Sequence, residues 1–266
     1  MSEYPCGRCD PPKYGHYYGF CDDCEKLKEY KASKEKLEES KDGLKVGIKQ
    51  QVSRRKTERM RVIAFEGIDA AGKATQTELL TQSLRNAGYT VATVSFPRYD
   101  QPIGGLIAKY LAGEITLHPN AVHMLFEADR QDYMTCMEQL EEVFDFLVID
   151  RYILSNLAFG VAKGLDIMWL RRLSMGVRIP DATFLLDVPP FASFKRKDKR
   201  DIHEKDATLL GKARTAYKAL AYILSDTKGE DWFVYIVDGT EAVGSVSEEV
   251  NYVVDRVLLQ NKQLWF

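Results

Sequence analysis

The sequence has no long apolar run, no excess of one charge and few histidines, and each absence excludes a class of protein. No apolar stretch approaches the roughly 20 residues that a membrane helix needs, and the mean hydropathy is −0.30. A net charge of −2 and a pI near 6.2 disfavour a dedicated nucleic-acid binder. The four histidines are scattered, which disfavours a histidine-based metal site.

No export signal is visible either. The segment from Met1 to Asp10 contains a proline and two cysteines but lacks the apolar core of a secretory signal. We therefore expect a cytoplasmic protein with no membrane contact.

Cysteine is scarce except at the N-terminus, where four of the five cysteines lie within the first 24 residues. They form two Cys-x2-Cys pairs, a spacing typical of a tetrahedral Zn²⁺ site. The predicted ligands are Cys6, Cys9, Cys21 and Cys24, and His16 is an alternative ligand. Two disulfides are the other interpretation, but nothing in the sequence indicates an oxidising compartment. We expect residues 1–24 to form a structural zinc module, and contact with a nucleic acid or a protein is an alternative role.

Composition changes twice along the chain. Residues 25–60 are rich in Lys and Glu with few apolar positions, which predicts a charged helical linker. From Arg61, short apolar runs alternate with longer helical stretches up to the C-terminus. The predicted strands are 62–65, 89–96, 145–149, 182–188 and 232–237, and the predicted helices are 74–85, 103–111, 121–142, 153–163, 207–224 and 246–259. This alternation predicts an α/β domain over 61–266 with a five-stranded parallel sheet between helices.

A glycine-rich turn follows the first predicted strand. Residues 67–73 fit the pattern Gly-x4-Gly-Lys, which places backbone N–H groups and a lysine around phosphates at the start of a helix. The predicted ATP contacts are Gly67, Ala70, Ala71, Gly72, Lys73, Ala74 and Thr75. Ala74 stands where the strict pattern has a hydroxyl for Mg²⁺, so a carboxylate elsewhere must help to hold the metal.

Asp150 is the candidate for that carboxylate because it ends the third apolar run, which is a predicted buried strand. Ligands bind beyond the carboxyl ends of such strands, and a carboxylate there supports the metal in phosphate-transferring enzymes. Arg151 follows it and would direct its guanidinium at a transferred phosphoryl group. An ordinary ion pair at the end of a strand is the alternative.

From residue 61 onward the chain resembles the thymidylate kinases, P-loop nucleoside monophosphate kinases with a three-layer α/β/α fold. The resemblance rests on Phe65-Glu66-Gly67-Ile68-Asp69, Phe96-Pro97-Arg98, Leu125-Phe126-Glu127-Ala128-Asp129-Arg130, Asp150-Arg151-Tyr152, Asp187-Val188-Pro189-Pro190 and Val237-Asp238-Gly239-Thr240, in family order. It implies transfer of the γ-phosphate of ATP to dTMP, with Mg²⁺, by a homodimer packed through helices.

The resemblance also implies roles for individual residues. Phe126 would stack on the pyrimidine and Arg130 would bind its O4, since a spacing of four places both on one helix face. Asp69 would hold the sugar 3′-hydroxyl, while Arg98 and Arg151 would orient the acceptor phosphate. Ser155 would approach the base, and Tyr152 and Phe159 would crowd the 2′ carbon and favour deoxyribose.

Two departures from the family pattern concern catalysis and the base. Gly160 stands where many bacterial members carry a glutamine that touches the base. Ala70 and Ala71 stand where some members carry a catalytic arginine, which others supply from a lid. The basic segment 195–201 lies at the place of the lid, so Lys73, Arg151, Arg196 and Arg200 are the predicted catalytic residues.

Alternatives to dTMP kinase activity remain at this point. A kinase for dUMP or a 5-modified dUMP is the nearest one, because a pocket discriminates weakly against one missing methyl group. A non-catalytic nucleotide-responsive module with a zinc interaction segment is the other, and Ala74 is its best support.

Overall fold

The structure is a computed structural model that describes residues 59–196, 206–226 and 232–259. The four cysteines predicted to bind zinc, the linker up to residue 58 and Arg200 of the predicted lid lie outside these ranges.

The described part of the chain alternates strands and helices. The strands are β1 (Arg61–Glu66), β2 (Val91–Ser95), β3 (Phe146–Asp150), β4 (Ala182–Asp187) and β5 (Val234–Asp238). The helices are α1 (Lys73–Asn86), α2 (Pro102–Leu111), α3 (Pro119–Leu140), α4 (Ile153–Ala162), α5 (Ile167–Leu173), α6 (Pro190–Arg196), α7 (Ala207–Asp226) and α8 (Val243–Val253), which continues as a π-helical turn over Val254–Leu259.

The strands form one parallel sheet in the order β2-β3-β1-β4-β5. Ile63 and Phe65 of β1 pack with apolar side chains of α1 and α8 in one core. Val62 and Ala64 point to the opposite face, since side chains alternate along a strand, and they are equally buried. Both faces of the sheet are therefore covered, and the five-stranded α/β prediction is confirmed.

The pairing register of the sheet aligns the ends of the strands that carry the candidate site. Ser95 of β2 and Phe65 of β1 both pair with Asp150 at the end of β3. The segments that follow these three strands therefore leave the sheet side by side, which is where ligands bind in parallel α/β sheets.

Helices α5 and α6 are absent from the sequence-based prediction. Each is seven residues long, too short for a clear helical period. Asp166 starts α5 by accepting the Trp169 N–H at 2.7 Å, a cap that sequence alone does not distinguish from a turn. None of the helices in the described ranges has the length and apolar character needed to cross a membrane.

Candidate active site

The phosphate loop connects β1 to α1 through residues with positive φ. Gly67 has φ 138° and Gly72 has φ 100°, conformations that side chains disfavour. A Cβ at Gly67 would also lie 2.6 Å from the Leu186 carbonyl oxygen. The loop therefore requires glycine at both positions. It leads directly into the N-terminus of α1.

Lys73 is the first residue of α1, and its side chain is buried beneath the loop. Its Nζ donates to the Ile68 carbonyl oxygen at 2.8 Å. Burial, together with the nearby Arg151, lowers the pKa of Lys73 to about 8. A phosphate anion in the loop would offset both effects and favour the charged amine.

Arg151 follows β3 in a left-handed conformation, φ 63°. Its backbone N–H donates to the Phe65 carbonyl oxygen at 2.9 Å, and its guanidinium bonds to the Gly67 carbonyl and pairs with the Asp69 carboxylate. Burial alone would lower the pKa of Arg151, but Asp69 and the other nearby negative groups raise it. The structure thus brings two predicted site residues, Asp69 and Arg151, into direct contact.

A cavity of about 560 Å³ opens in front of the loop. Its walls include every predicted ATP contact except Gly67, together with Asp69, Asp150, Arg151 and Arg196. Ala74 and Thr75 are both exposed at its surface. The residues predicted to contact ATP therefore line one space.

Asp150 provides an oxygen suited to a cation at this cavity. Its Oδ1 is buried and has no hydrogen-bond partner within the described ranges. The same part of the chain contains no cluster of three or more His, Cys, Asp or Glu that could hold a metal. Asp150 could thus contribute a carboxylate oxygen to a magnesium ion here, a ligand type that suits Mg²⁺.

Arg196, the last residue of α6, also lines this cavity. Its guanidinium donates to the Gly239 carbonyl oxygen at 2.9 Å and to the Ala70 carbonyl oxygen at 3.4 Å. It therefore links the phosphate loop to the turn after β5.

Phe126 and Arg130 lie one helical turn apart on α3. Arg130 donates to the Phe126 carbonyl oxygen at 2.6 Å, and its guanidinium lies 5.6 Å from the centre of the Phe96 ring. Phe126 is half-buried, so part of its ring stays accessible, whereas Arg130 is almost fully buried.

Arg98 is held by two aspartates of α3. Its Nε donates to Asp129 at 3.0 Å and its Nη2 donates to Asp132 at 2.7 Å. Its backbone N–H also donates to Asp129 at 2.8 Å. These bonds fix the orientation of Arg98, and Nη1 takes part in none of them.

The Tyr152 side chain is fully buried, and its ring lies 5.7 Å from that of Phe96. Tyr152 therefore supports the loop after β2, and its contact with the sugar stays a prediction. Phe159, the other residue predicted to crowd the sugar, is partly exposed.

Ser155 is buried, and its hydroxyl is engaged by protein groups. It donates to the Glu66 carboxylate and lies 2.8 Å from the Tyr217 hydroxyl. Contact with the base stays a prediction, and these bonds also give Ser155 a role in the packing of α4.

Gly160 has a packing reason in this chain. A Cβ at that position would lie 2.5 Å from a methyl group of Leu170. A larger residue there, including a glutamine, would therefore require the Leu170 side chain of α5 to shift.

Sequence reasoning missed a buried polar cluster beside α3. Asn156 donates to Glu127 at 2.9 Å and accepts from His123 Nδ1 at 2.7 Å. Glu66, a charged residue at the end of an apolar strand, was also not predicted as a site residue. The hydrogen-bond partners of these residues lie far away in the sequence, so no local pattern shows which groups they contact.

The fold and the site together define a P-loop kinase of the nucleoside monophosphate kinase class. The family model for thymidylate kinase matches residues 65–250. The chain therefore belongs to the thymidylate kinase family, and it is an ATP-dependent nucleoside monophosphate kinase.

Individual relatives agree with this assignment. A thymidylate kinase of Plasmodium falciparum is 31% identical over 206 residues, which cover 77% of this chain and 94% of that protein. One of Arabidopsis thaliana is 29% identical over 193 residues, or 73% of this chain and 70% of that protein. The solved structure of a thymidylate kinase from Candida albicans superposes with a TM-score of 0.66 at 27% identity, covering 78% of this chain and 96% of that one.

Proposed function

We propose that this chain transfers the γ-phosphate of ATP to dTMP and releases ADP and dTDP. The observation that carries the proposal is the cavity whose walls combine the phosphate loop, Asp150 and Arg151. Membership of the thymidylate kinase family indicates the acceptor.

Phosphoryl transfer depends mainly on positioning and on neutralising charge. The backbone of the phosphate loop and Lys73 would hold the donor phosphates. Arg151, kept in place by Asp69, would stabilise charge on the transferring group from the acceptor side. The acceptor phosphate is already an anion at neutral pH, so the reaction needs no strong base.

Asp150 would hold Mg²⁺, because its Oδ1 is buried at the cavity and has no hydrogen-bond partner among the described residues. When bound, the metal would neutralise charge on the donor phosphates. Arg196 already lines the cavity, and the basic segment that follows it would close over the phosphates and exclude water.

For the acceptor, we assign Phe126 to stacking on the pyrimidine and Arg130 to its O4. Arg98 would orient the phosphate of dTMP, with Asp69 near the 3′-hydroxyl. Phe159 would favour deoxyribose. Ser155 would approach the base, while its hydroxyl donates to Glu66.

The next question is which pyrimidine deoxynucleoside monophosphates the chain accepts. A pocket discriminates against a missing methyl group by only about 10- to 200-fold. The thymidylate kinase of Candida albicans is described as having broad substrate specificity. dUMP and 5-modified dUMP are therefore the alternative acceptors to compare.

The test is a coupled assay of ADP release by the full chain with each deoxynucleoside monophosphate. The proposal expects dTMP to give the highest kcat/KM among the natural substrates. A higher value for dUMP would transfer the assignment to that acceptor. No dTMP-dependent ADP release would instead favour a non-catalytic nucleotide-binding module.

We also propose that Cys6, Cys9, Cys21 and Cys24 bind one structural Zn²⁺, on the strength of their spacing. Reduced thiolates fit a cytoplasmic location, which stays a prediction, as does contact of this segment with a nucleic acid or a protein. Elemental analysis of the purified chain should give one zinc per molecule. A metal-free chain with two disulfides by mass spectrometry would exclude the site.

A homodimer is proposed from the family and from apolar surface. Leu106 on α2, Met124 on α3 and Met168 on α5 are all exposed. Helices that present such side chains to water are candidates for a subunit interface.

A further inference from the structure

Glu66 is a carboxylate with no exposed surface at the end of β1. Burying a charged or polar group is costly unless it is hydrogen-bonded. Glu66 accepts the backbone N–H of Tyr152 at 2.9 Å, the backbone N–H of Ser155 at 3.2 Å and the hydroxyl of Ser155. The buried carboxylate is thus supplied with donors at both oxygens.

All three donors belong to the N-terminus of α4. Tyr152 is the residue before the first helical residue, and its own side chain makes no capping bond. The first N–H groups of a helix need acceptors, and negative charge there is favourable. Glu66 therefore caps α4 from another strand, in place of a local side chain.

Arg151 lies directly between this cap and the sheet. Its N–H is held by the Phe65 carbonyl at 2.9 Å, and the residue after it is held by Glu66. Its own φ of 63° is unfavourable for a side chain other than glycine. Two consecutive residues of β1 thus hold the backbone on both sides of a strained residue.

We propose that Glu66 is a positioning residue that fixes Arg151 in its catalytic conformation. The inference rests on the proposed phosphoryl transfer, because it gives Arg151 a transition state to stabilise. Without the cap, the backbone of residues 151–152 is free to relax, and the guanidinium moves relative to the phosphate loop. A misplacement of about 1 Å can cost about a hundredfold in rate.

The same carboxylate is linked to the helix that follows the predicted lid. Ser155 donates to Glu66, and the Tyr217 hydroxyl of α7 lies 2.8 Å from the Ser155 oxygen. Because Ser155 gives its single hydroxyl proton to Glu66, the Tyr217 hydroxyl is the donor in this contact, and burial raises the pKa of Tyr217 above its ordinary value. One hydrogen-bonded chain therefore connects β1, α4 and α7.

The test compares Glu66→Ala and Glu66→Gln in the full chain, with kcat and the KM of ATP measured separately. Glu66→Ala should lower kcat by about ten- to a hundredfold and leave the KM of ATP within a small factor, since Lys73 and the loop backbone are intact. Glu66→Gln should restore most of kcat, because its carbonyl accepts both N–H groups and its amide donates to Ser155.

Thr183→Val gives the matched control for a general loss of stability. Thr183 is equally buried on the neighbouring strand β4 and accepts from the Trp232 indole at 3.0 Å. Loss of the Thr183 hydroxyl should lower the melting temperature. It should leave kcat unchanged at temperatures where the variant is folded.

Two results would overturn the proposal. One is an unchanged kcat in folded Glu66→Ala, and the other is a Glu66→Gln variant as slow as Glu66→Ala. An inactive wild-type chain would instead refute the proposed function, so the two failures are distinguishable.

Discussion

Lys73 is buried, and burial disfavours the charged form of its amine. Its Nζ has only the Ile68 carbonyl as a close hydrogen-bond acceptor in the described structure, and its pKa is lowered to about 8. An amine held in this way is not a surface charge that water already satisfies. It is prepared to interact with an anion that enters the phosphate loop.

Lys73→Ala should therefore lower kcat by at least about a hundredfold, the scale of losing one preorganised donor to a transition state. The fold should remain, as judged by circular dichroism, because the side chain makes a single hydrogen bond. Lys109→Ala, at an exposed position of α2, is the matched control and should keep wild-type turnover. Wild-type rates of dTMP-dependent ADP release in Lys73→Ala would refute the assignment.

His123 is buried on α3 and is neutral in the folded protein at pH 7. Its Nδ1 donates to the Asn156 side chain at 2.7 Å, and burial lowers its pKa from 6.5 to about 4. The unfolded chain protonates this histidine first as the pH falls. Stability that is complete above pH 6.5 is therefore lost progressively towards pH 4.

Between pH 7 and pH 5 this effect should cost about 2 kcal/mol in the free energy of unfolding. Urea unfolding of His123→Gln should show a smaller loss over that interval, whatever its stability at pH 7. Equal slopes for wild type and His123→Gln would contradict the argument.

At the scale of elements, α6 connects β4 to the nucleotide cavity. It is seven residues long and begins at Pro190, which is favourable at the first position of a helix. This length brings Arg196 from the end of β4 to the phosphate loop, where it bonds to the Ala70 and Gly239 carbonyls. A charged side chain that already bridges two walls of the cavity can stabilise phosphates without a large movement.

Arg196→Ala should lower kcat by about a thousandfold or more, as for other arginines that complete a phosphoryl-transfer site. Lys195→Ala, one residue earlier and exposed, should have a much smaller effect and is the control. Arg200 is predicted to share this role. Unchanged turnover in both Arg196→Ala and Arg200→Ala would place the catalytic charge elsewhere.

At the scale of the whole molecule, the exposed apolar residues of α2, α3 and α5 predict self-association. Light scattering of the full chain should give twice the chain mass of 30.3 kDa. Met124→Glu should shift the mass towards the monomer, because it places a charge in the proposed interface. Tyr252→Glu, at an exposed position of α8, should leave the mass unchanged. A monomeric wild type at tens of micromolar would exclude the dimer.

The strands and most helices of the domain follow from local pattern. β1 is apolar at consecutive positions because both faces of the sheet are covered, and α1 follows it through glycines that the turn requires. The α5 and α6 helices escaped prediction because seven residues give too little periodicity. The burial of Tyr152 also escaped prediction, because it depends on Phe96, which is distant in sequence.

The phosphate loop, the acidic strand end and the family resemblance were available from the order of amino acids, since each depends on neighbours within a few residues. The contacts that orient Arg98 and the backbone around Arg151 were not. Glu66 meets Tyr152 and Ser155 across 86 and 89 residues, and Arg98 meets Asp129 across 31. Only the tertiary structure brings these groups within hydrogen-bonding distance, because the parallel register aligns the end of β1 with the end of β3 and the packing of α3 places Asp129 beside the segment after β2.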